Sequence, residues 1–386
     1  MIVSVRPCAD YDRERVFPAL EDVLAPLGGL DWVVPGMKVA IKANLVSFMK
    51  PEAAATTHPE VLCALTEMLK AKGAEVIVGD SPGGLWNGAF VGRVYAATGM
   101  HEVEKAGAVL NKNFSIREVE FPEAAVAKRF TCTEWLLEAD AIINVCKLKS
   151  HGMMSLSAAV KNMFGSIPGT TKPEYHYKYP GEGEFADMLV DLNEYFKTKL
   201  CIVDAVVGME GNGPTKGTPR NIGALIASDS PYAADLACAK IMGLKTENVP
   251  TMTAAYRRGL APDSLEETCV DGDISPFCMD DFENIISHRG LDFSGDGKSR
   301  LQRLTGRFIT TALASVPVVN KKDCVGCAVC ANTCPAKAIE MRNKLPAIDR
   351  KKCIRCFCCQ EFCPKGAMVV HRPIIARIMN PVNGKK

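Results

Sequence analysis

The chain has 386 residues, 47% of them hydrophobic and 23% charged, with a formal net charge of +2. That balance excludes a disordered chain and supplies a sizeable core, either as two or three units or as one large domain plus a small module. No basic leader precedes an apolar run in "MIVSVRPCADYDRERVF", and no stretch nears the ~18 apolar residues of a membrane span, so a cytoplasmic protein is expected.

Short β-branched runs alternate with helical patterns as far as residue 245. "KVAIKANLV" reads as a buried strand and "HPEVLCALTEMLKAKG" as the helix after it. The stripe Val61, Leu62, Leu65, Met68 and Leu69 has helical spacing; His58 is placed to cap, Pro59 suits the first turn and Gly73 the stop. "AEVIVGDSPGG" is a strand entering a glycine-rich turn. "ADAIINVCKLKSHG" is a strand running into a loop, followed by a helix with the stripe Leu156, Ala159, Val160, Met163 and Phe164, closed by Gly165. "LCIVDAVVGMEGNGPTKG" is a strand and glycine-rich loop, "NIGALIAS" a strand and "YAADLACAKIMGL" a helix. Parallel neighbours need crossover helices, so this alternation predicts an α/β fold with a doubly wound, mostly parallel sheet. Residues 245–296 are turn-rich and close an α/β unit spanning 1–296. "RLQRLTGRFITTALASV" lies in a basic amphipathic linker or helix over 297–320.

Polar residues gather at or just past the carboxyl ends of these strands: Lys42, Asn44, Asp80, Ser81, Lys147, Lys149, His151, Asp204 and Glu210. Ligands of open α/β sheets bind along that edge. Lysines beside "DSPGG" and "EGNGPTKG" suit a small anionic substrate, a carboxylate or phosphate held by ammonium groups and backbone donors. A single lysine of this kind is by itself an ordinary surface residue, and His151 an ordinary loop residue; only the set carries weight. The glycines match no dinucleotide or P-loop template, so nucleotide binding is not expected.

Seventeen cysteines are present, nine of them between Cys324 and Cys363. The other eight are scattered in apolar contexts and read as core residues, with Cys146, beside Lys147, as the one candidate for reactivity. "CVGCAVCANTCP" from Cys324 and "CIRCFCCQEFCP" from Cys353 share the spacing C-x-x-C-x-x-C-x-x-x-C-P. Three thiolates two residues apart can wrap one cubane, while the fourth, before a proline that turns the chain away, is aimed at a second cluster. On that rule one 4Fe-4S cluster takes Cys324, Cys327, Cys330 and Cys363, the other takes Cys353, Cys356, Cys359 and Cys334, and Cys358 is left as a small packing residue. Zinc sites usually pair C-x-x-C motifs across a longer loop. Residues 321–372 thus resemble the bacterial dicluster 4Fe-4S ferredoxins, a small α+β fold, with "AKAIEM" and "KGAMVV" at the family's short elements after each fourth cysteine. Arg355, Phe357 and Cys358 are bulkier than Gly326, Ala328 and Val329 at the matching positions, so differently spaced backbone donors are expected in the second loop.

Residues 321–386 carry 14 Lys and Arg against 4 Asp and Glu, and the rest of the chain 32 against 40. The module and the basic tail 373–386 suit an acidic redox partner protein, or the chain's own acidic domain. Stacking aromatics are not interleaved with these charges, which disfavours nucleic acid.

"VAIKANL", "THPEV", "GDSPGG", "KLKSHGMMSLSAAVKNMFGSIPG" and "DAVVGMEGNGPTKGTPRNIGALIASDSPYAAD" resemble the family called domain of unknown function 362 over about residues 37–245. The resemblance implies an α/β domain coupled to iron-sulfur clusters and adds Lys161 and Asn162 to the motif residues Lys42, Asn44, Asp80, Lys147, Lys149, His151, Asp204 and Glu210. Two functions follow. One is an oxidoreductase with Lys147, Lys149 or His151 as proton donor beside a one-electron supply; the other is an electron carrier whose α/β part only docks a partner.

Overall fold

The computed structural model describes residues 1–286 and 315–371. Residues 297–314 of the expected linker and the basic tail 373–386 lie outside the described residues, as does the expected turn "DFSGDGKS".

Nine strands form the main sheet: β1 (Ile2–Pro7), β2 (Lys38–Lys42), β3 (Glu75–Gly79), β4 (Val109–Leu110), β7 (Ala141–His151), β8 (Ser155–Ser157), β9 (Leu200–Asn212), β10 (Lys216–Ser228) and β11 (Cys269–Asp271). A separate hairpin joins β5 (Ile116–Glu120) to β6 (Arg129–Thr133). The spatial order is β11-β1-β10-β9-β7-β2-β3-β4, with β8 folded back on β7. Strand β10 lies antiparallel between β9 and β1; every other neighbour along that path is parallel. The sheet is therefore mixed but mostly parallel, an α/β architecture.

Successive side chains of a strand point to opposite faces, and the two faces are buried under different helices. Ile143, Val145 and Ile202 pack with the helices Arg13–Leu24 and Pro59–Ala71. Cys146, Leu148, Cys201 and Val203 pack on the other face with the helix Pro231–Ile241. Leu62 and Leu65 are fully buried, each contributing about 1.5–3 kcal/mol. His58 caps its helix through Nδ1, which accepts the Glu60 N–H, and Gly73 follows the helix end at φ +83°.

Three expected elements differ. Strand β7 runs on through His151, so Lys147, Lys149 and His151 stand on a strand instead of a loop. The helix expected from Leu156 shrinks to one turn, Ala159–Asn162, followed by the 3-10 turn Met163–Ser166. A tertiary cap starts it: the buried Asp235 carboxylate accepts the N–H groups of Ala159 (2.6 Å) and Val160 (3.3 Å). The glycine-rich "EGNGPTKG" is mostly paired, the ends of β9 and β10 meeting as Asn212 and Lys216.

The C-terminal unit has two antiparallel pairs, β12 (Val316–Val319) with β15 (Met368–His371) and β13 (Ile339–Arg342) with β14 (Leu345–Ile348). Strand β12 lies within the segment expected to be linker. One-turn helices, Val329–Asn332 and Cys358–Glu361, follow the first cysteines of each motif. The unit docks where β7 and the β9–β10 hairpin end. Phe357, 4% exposed, joins the apolar cluster of Phe164 and Phe185. The buried Gln360 amide donates to the carbonyls of Asn212 (3.1 Å) and Gly213 (3.3 Å), and the Val370 N–H donates to Asn212 Oδ1.

Candidate functional site

A cavity of about 50 Å³ lies where the two units meet. Asn44, Asp80, Lys149, His151, Lys161 and Asn162 line it, together with two residues that the sequence did not single out, Lys172 and Glu361. Asn162 organises one wall. Its Oδ1 accepts from Lys42 Nζ (3.2 Å) and Asn44 Nδ2 (2.9 Å), and its Nδ2 donates to Asn144 Oδ1 (2.7 Å). Lys149 Nζ donates to Asn44 Oδ1 (2.6 Å) and to the Ala55 carbonyl (2.7 Å), which leaves one N–H of its ammonium. Burial and the neighbouring Lys161 push the Lys149 ammonium down to about 7. Lys172 donates to the Ser81 carbonyl and is lowered to about 8, mainly by burial.

Lys161 differs from both. It is 8% exposed and lies over the Phe164 ring, 5.0 Å from its centroid. Among the described residues its ammonium makes no hydrogen bond or contact ion pair, and Glu361 is a carboxylate that it attracts across the cavity. His151 Nδ1 accepts the N–H groups of Met153 and Met154, both at 3.1 Å, so Nε2 carries the proton and donates to Glu361 Oε1 at 3.1 Å. Burial holds His151 below its ordinary range, and it is neutral. Burial alone would raise the Glu361 carboxyl, but Lys161 and the His151 hydrogen bond hold it well below the usual carboxylate range.

Four other expected residues stand outside the cavity. Lys42 makes a buried ion pair with Asp80 (2.7 Å) and also donates to the Ala43 carbonyl, so it fixes Asp80 from behind. Lys147 spends its ammonium on Asp204 (2.6 Å), the Tyr11 hydroxyl (2.7 Å) and the Val207 carbonyl (3.0 Å). Asp204 also accepts from Tyr11 and the His58 N–H, so this pair braces the sheet and is not free for a substrate. Glu210 accepts the Glu283 N–H and faces Arg220. Cys146 is fully buried, with its thiol pushed up by burial, which makes it a core residue and not a nucleophile. Cys269 is exposed and Cys278 half-buried, unlike the six other scattered cysteines.

The cysteines of the C-terminal unit fall into two sets. Cys330 feels Cys363, Cys327 and Cys324; Cys359 feels Cys356, Cys353 and Cys334, as well as Cys330. The fourth cysteine of each motif thus stands with the other motif. Each has the same backbone partner, since the Ala338 N–H donates to Cys334 Sγ and the Ala367 N–H to Cys363 Sγ, both at 3.2 Å. Gly326 and Ala328 have φ of +69° and +61°, and Arg355 and Phe357 have +56° and +61°. The bulkier side chains therefore leave the loop conformation unchanged, at about 1–2 kcal/mol for each non-glycine residue held in the left-handed region. This donor set, clustered thiols with backbone N–H groups donating to Cys334 and Cys363, fits iron-sulfur clusters. Among the described residues no three such groups converge on a point for a single ion. Cys358 is buried beside Cys356.

The domain of unknown function DUF362 matches residues 39–240, and a 4Fe-4S dicluster domain matches 316–364. The thylakoid-associated protein sll1697 of Synechocystis sp. is 32% identical over 274 residues, which is 69% of this chain and 82% of the relative. The chain belongs to the DUF362 family. Among solved structures, the lactate racemase apoprotein from Thermoanaerobacterium thermosaccharolyticum is similar at a TM-score of 0.41 and 12% identity, over 63% of this chain and 57% of that one. A Thermotoga maritima protein is similar at 0.39 and 15%, over 62% and 61%. The chain spans less than two thirds of either, and likeness at this level says nothing of activity.

Within this DUF362 chain the cavity walls come from distant segments: the ends of β2, β3 and β7, the turn at Lys161, and Glu361 from between two motif cysteines. Among the described residues no helix is long and apolar enough to cross a membrane.

Proposed function

We propose that this protein is a ferredoxin-type iron-sulfur electron-transfer protein that delivers single electrons to or from a small anion held in the lysine-lined cavity. Cys324, Cys327, Cys330 and Cys363 hold one 4Fe-4S cluster, and Cys353, Cys356, Cys359 and Cys334 the other. Bound clusters of this kind take up and release one electron at a time. The observation that carries the reading is Lys161, a nearly buried ammonium with no hydrogen bond or contact ion pair among the described residues, lining a cavity that Glu361 of the second cysteine motif also lines. A buried charge is costly unless paired, so the ammonium awaits an anion.

Lys161, the remaining Lys149 N–H and Lys172 bind the anion. Lys149, lowered to about 7, is poised to hold or release a proton near neutrality and serves as the proton donor of an oxidoreductase. His151 orients Glu361 through its single Nε2 proton and is a positioning residue. The basic module suits an acidic redox partner, in a cytoplasmic setting; the thylakoid association named for the Synechocystis relative supports a place beside a membrane.

The test is anaerobic purification, an iron count of about eight per chain, and reduction with dithionite. Carboxylates and phosphates are then screened for oxidation of the clusters, followed by their visible absorbance. An active compound should lose its effect in Lys149→Met and Lys161→Met. Equal rates in wild type and both variants would remove the cavity from the pathway, and zinc in place of iron would remove the whole reading.

A further inference from the structure

The lysine cavity is too small for a whole metabolite. Its 50 Å³ holds a few water-sized groups, about one carboxylate or phosphate head. A second cavity of about 780 Å³, within the range of small-molecule sites, adjoins it. Gly83 lines both, so the two cavities share a wall there. The chain on either side supports this continuity: Val46 lines the polar cavity while Ser47 and Phe48 line the larger one, and the Gly83 N–H is held by the Val46 carbonyl at 3.0 Å.

The larger cavity differs in chemistry. Its walls include Phe48, Phe90, Tyr177, Phe362 and Pro335, and it reaches Cys334, one of the eight motif cysteines. Leu85 and Tyr177 are 56% and 61% exposed there, so its rim is apolar and open to solvent.

We propose that the two cavities form one bipartite site for an amphipathic oxyanion, with the charged head at Lys149, Lys161 and Lys172 and an apolar body between Phe48, Phe90 and Phe362. The inference rests on the lysine cavity being an anion site and adds the class of molecule. Gly83 is the passage. Its φ lies outside the left-handed region, and a Cβ there would first meet the Phe362 ring, at 3.5 Å, so a larger side chain is sterically admissible on the backbone and would fill the proposed passage.

The experiment is calorimetry on the anaerobic, iron-loaded full chain with four probes: acetate, inorganic phosphate, 2-naphthoate and 2-naphthyl phosphate. Burial of the ring should make at least one naphthyl probe roughly 30-fold tighter than its bare head group. The stronger of the two distinguishes a carboxylate from a phosphate ligand. Gly83→Leu should remove roughly tenfold or more of that gain and leave acetate and phosphate unchanged. Should that variant fail to fold, Leu85→Ser with Tyr177→Ser alters only exposed rim positions and should reduce the gain roughly threefold. Lys161→Met should weaken bare and naphthyl anions alike. Bare anions that bind with no gain from the ring would overturn the bipartite site alone, as would a gain untouched by both the passage and rim variants. Absence of binding by all four probes would overturn the anion site beneath it.

Discussion

Lys161→Met separates the cost of a buried charge from its use. The side chain is 8% exposed, and Lys42, Lys149 and Lys172 all repel its ammonium, while Glu361 attracts it without forming an ion pair. Its close favourable contact is the Phe164 ring, worth about 0.5–2 kcal/mol. Methionine keeps the stem length and deletes the charge, and with it the cation–ring contact. The free protein should therefore change little in stability, because relief of the lysine repulsion is offset by the lost attraction to the buried Glu361 carboxylate. Anion affinity should fall by about 1.5–3 kcal/mol, the worth of a hydrogen bond to a charged group, or roughly 10- to 150-fold. Anaerobic urea denaturation of the iron-loaded protein, with and without acetate or phosphate, measures both. Ligand at a hundredfold its dissociation constant should stabilise wild type by about 2.7 kcal/mol and the variant far less. A variant that is destabilised and still stabilised by anion to the wild-type extent would refute the reasoning.

Gly165→Ala should cost at least 3–5 kcal/mol, roughly the cost of breaking a buried ion pair, because its Cβ would lie 2.1 Å from Asp80 Oδ1 and 2.4 Å from Lys42 Nζ; a urea midpoint measures it. Anion affinity should fall as pH rises from 6 to 9, since Lys149 and Lys172, at about 7 and 8, lose the charged form that binds, and calorimetry across that range checks the sign. Cys358→Ala should keep the full iron content, whereas Cys334→Ala should lose iron from the set of Cys353, Cys356 and Cys359; iron assay and electron paramagnetic resonance distinguish them. Phe357→Ala should weaken docking of the C-terminal unit by about 3–5 kcal/mol, read as faster limited proteolysis between the units.

The dicluster motif was legible because three of its cysteines lie within seven residues and the pattern repeats, so local spacing carried most of the signal. The strand-end lysines were legible as a group but not as individuals. Lys147, Lys149 and His151 share one face by the two-residue period of a strand, yet the pairing of β7 with β9 shifts register between Lys147 and Lys149. That shift sends the first into a bracing pair with Asp204 and the second to the cavity. Period alone cannot show a bulge. Lys172 and Glu361 carried no local signal, since Glu361 meets His151 across 210 positions of sequence. The short helix at Ala159 was overread because its apolar stripe belongs partly to β8, and because Asp235, far along the chain, supplies its cap.

Glu361 sits two positions from Cys359 and two from Cys363 and also closes the lysine cavity. The iron-binding loop is therefore masonry as well as wiring. A chain cut before residue 315 would lose a side of its compartment together with its electrons, leaving the lysines open to bulk water, where screening erodes their grip on any anion. Relatives that lack this C-terminal unit would need another segment to shut the same chamber.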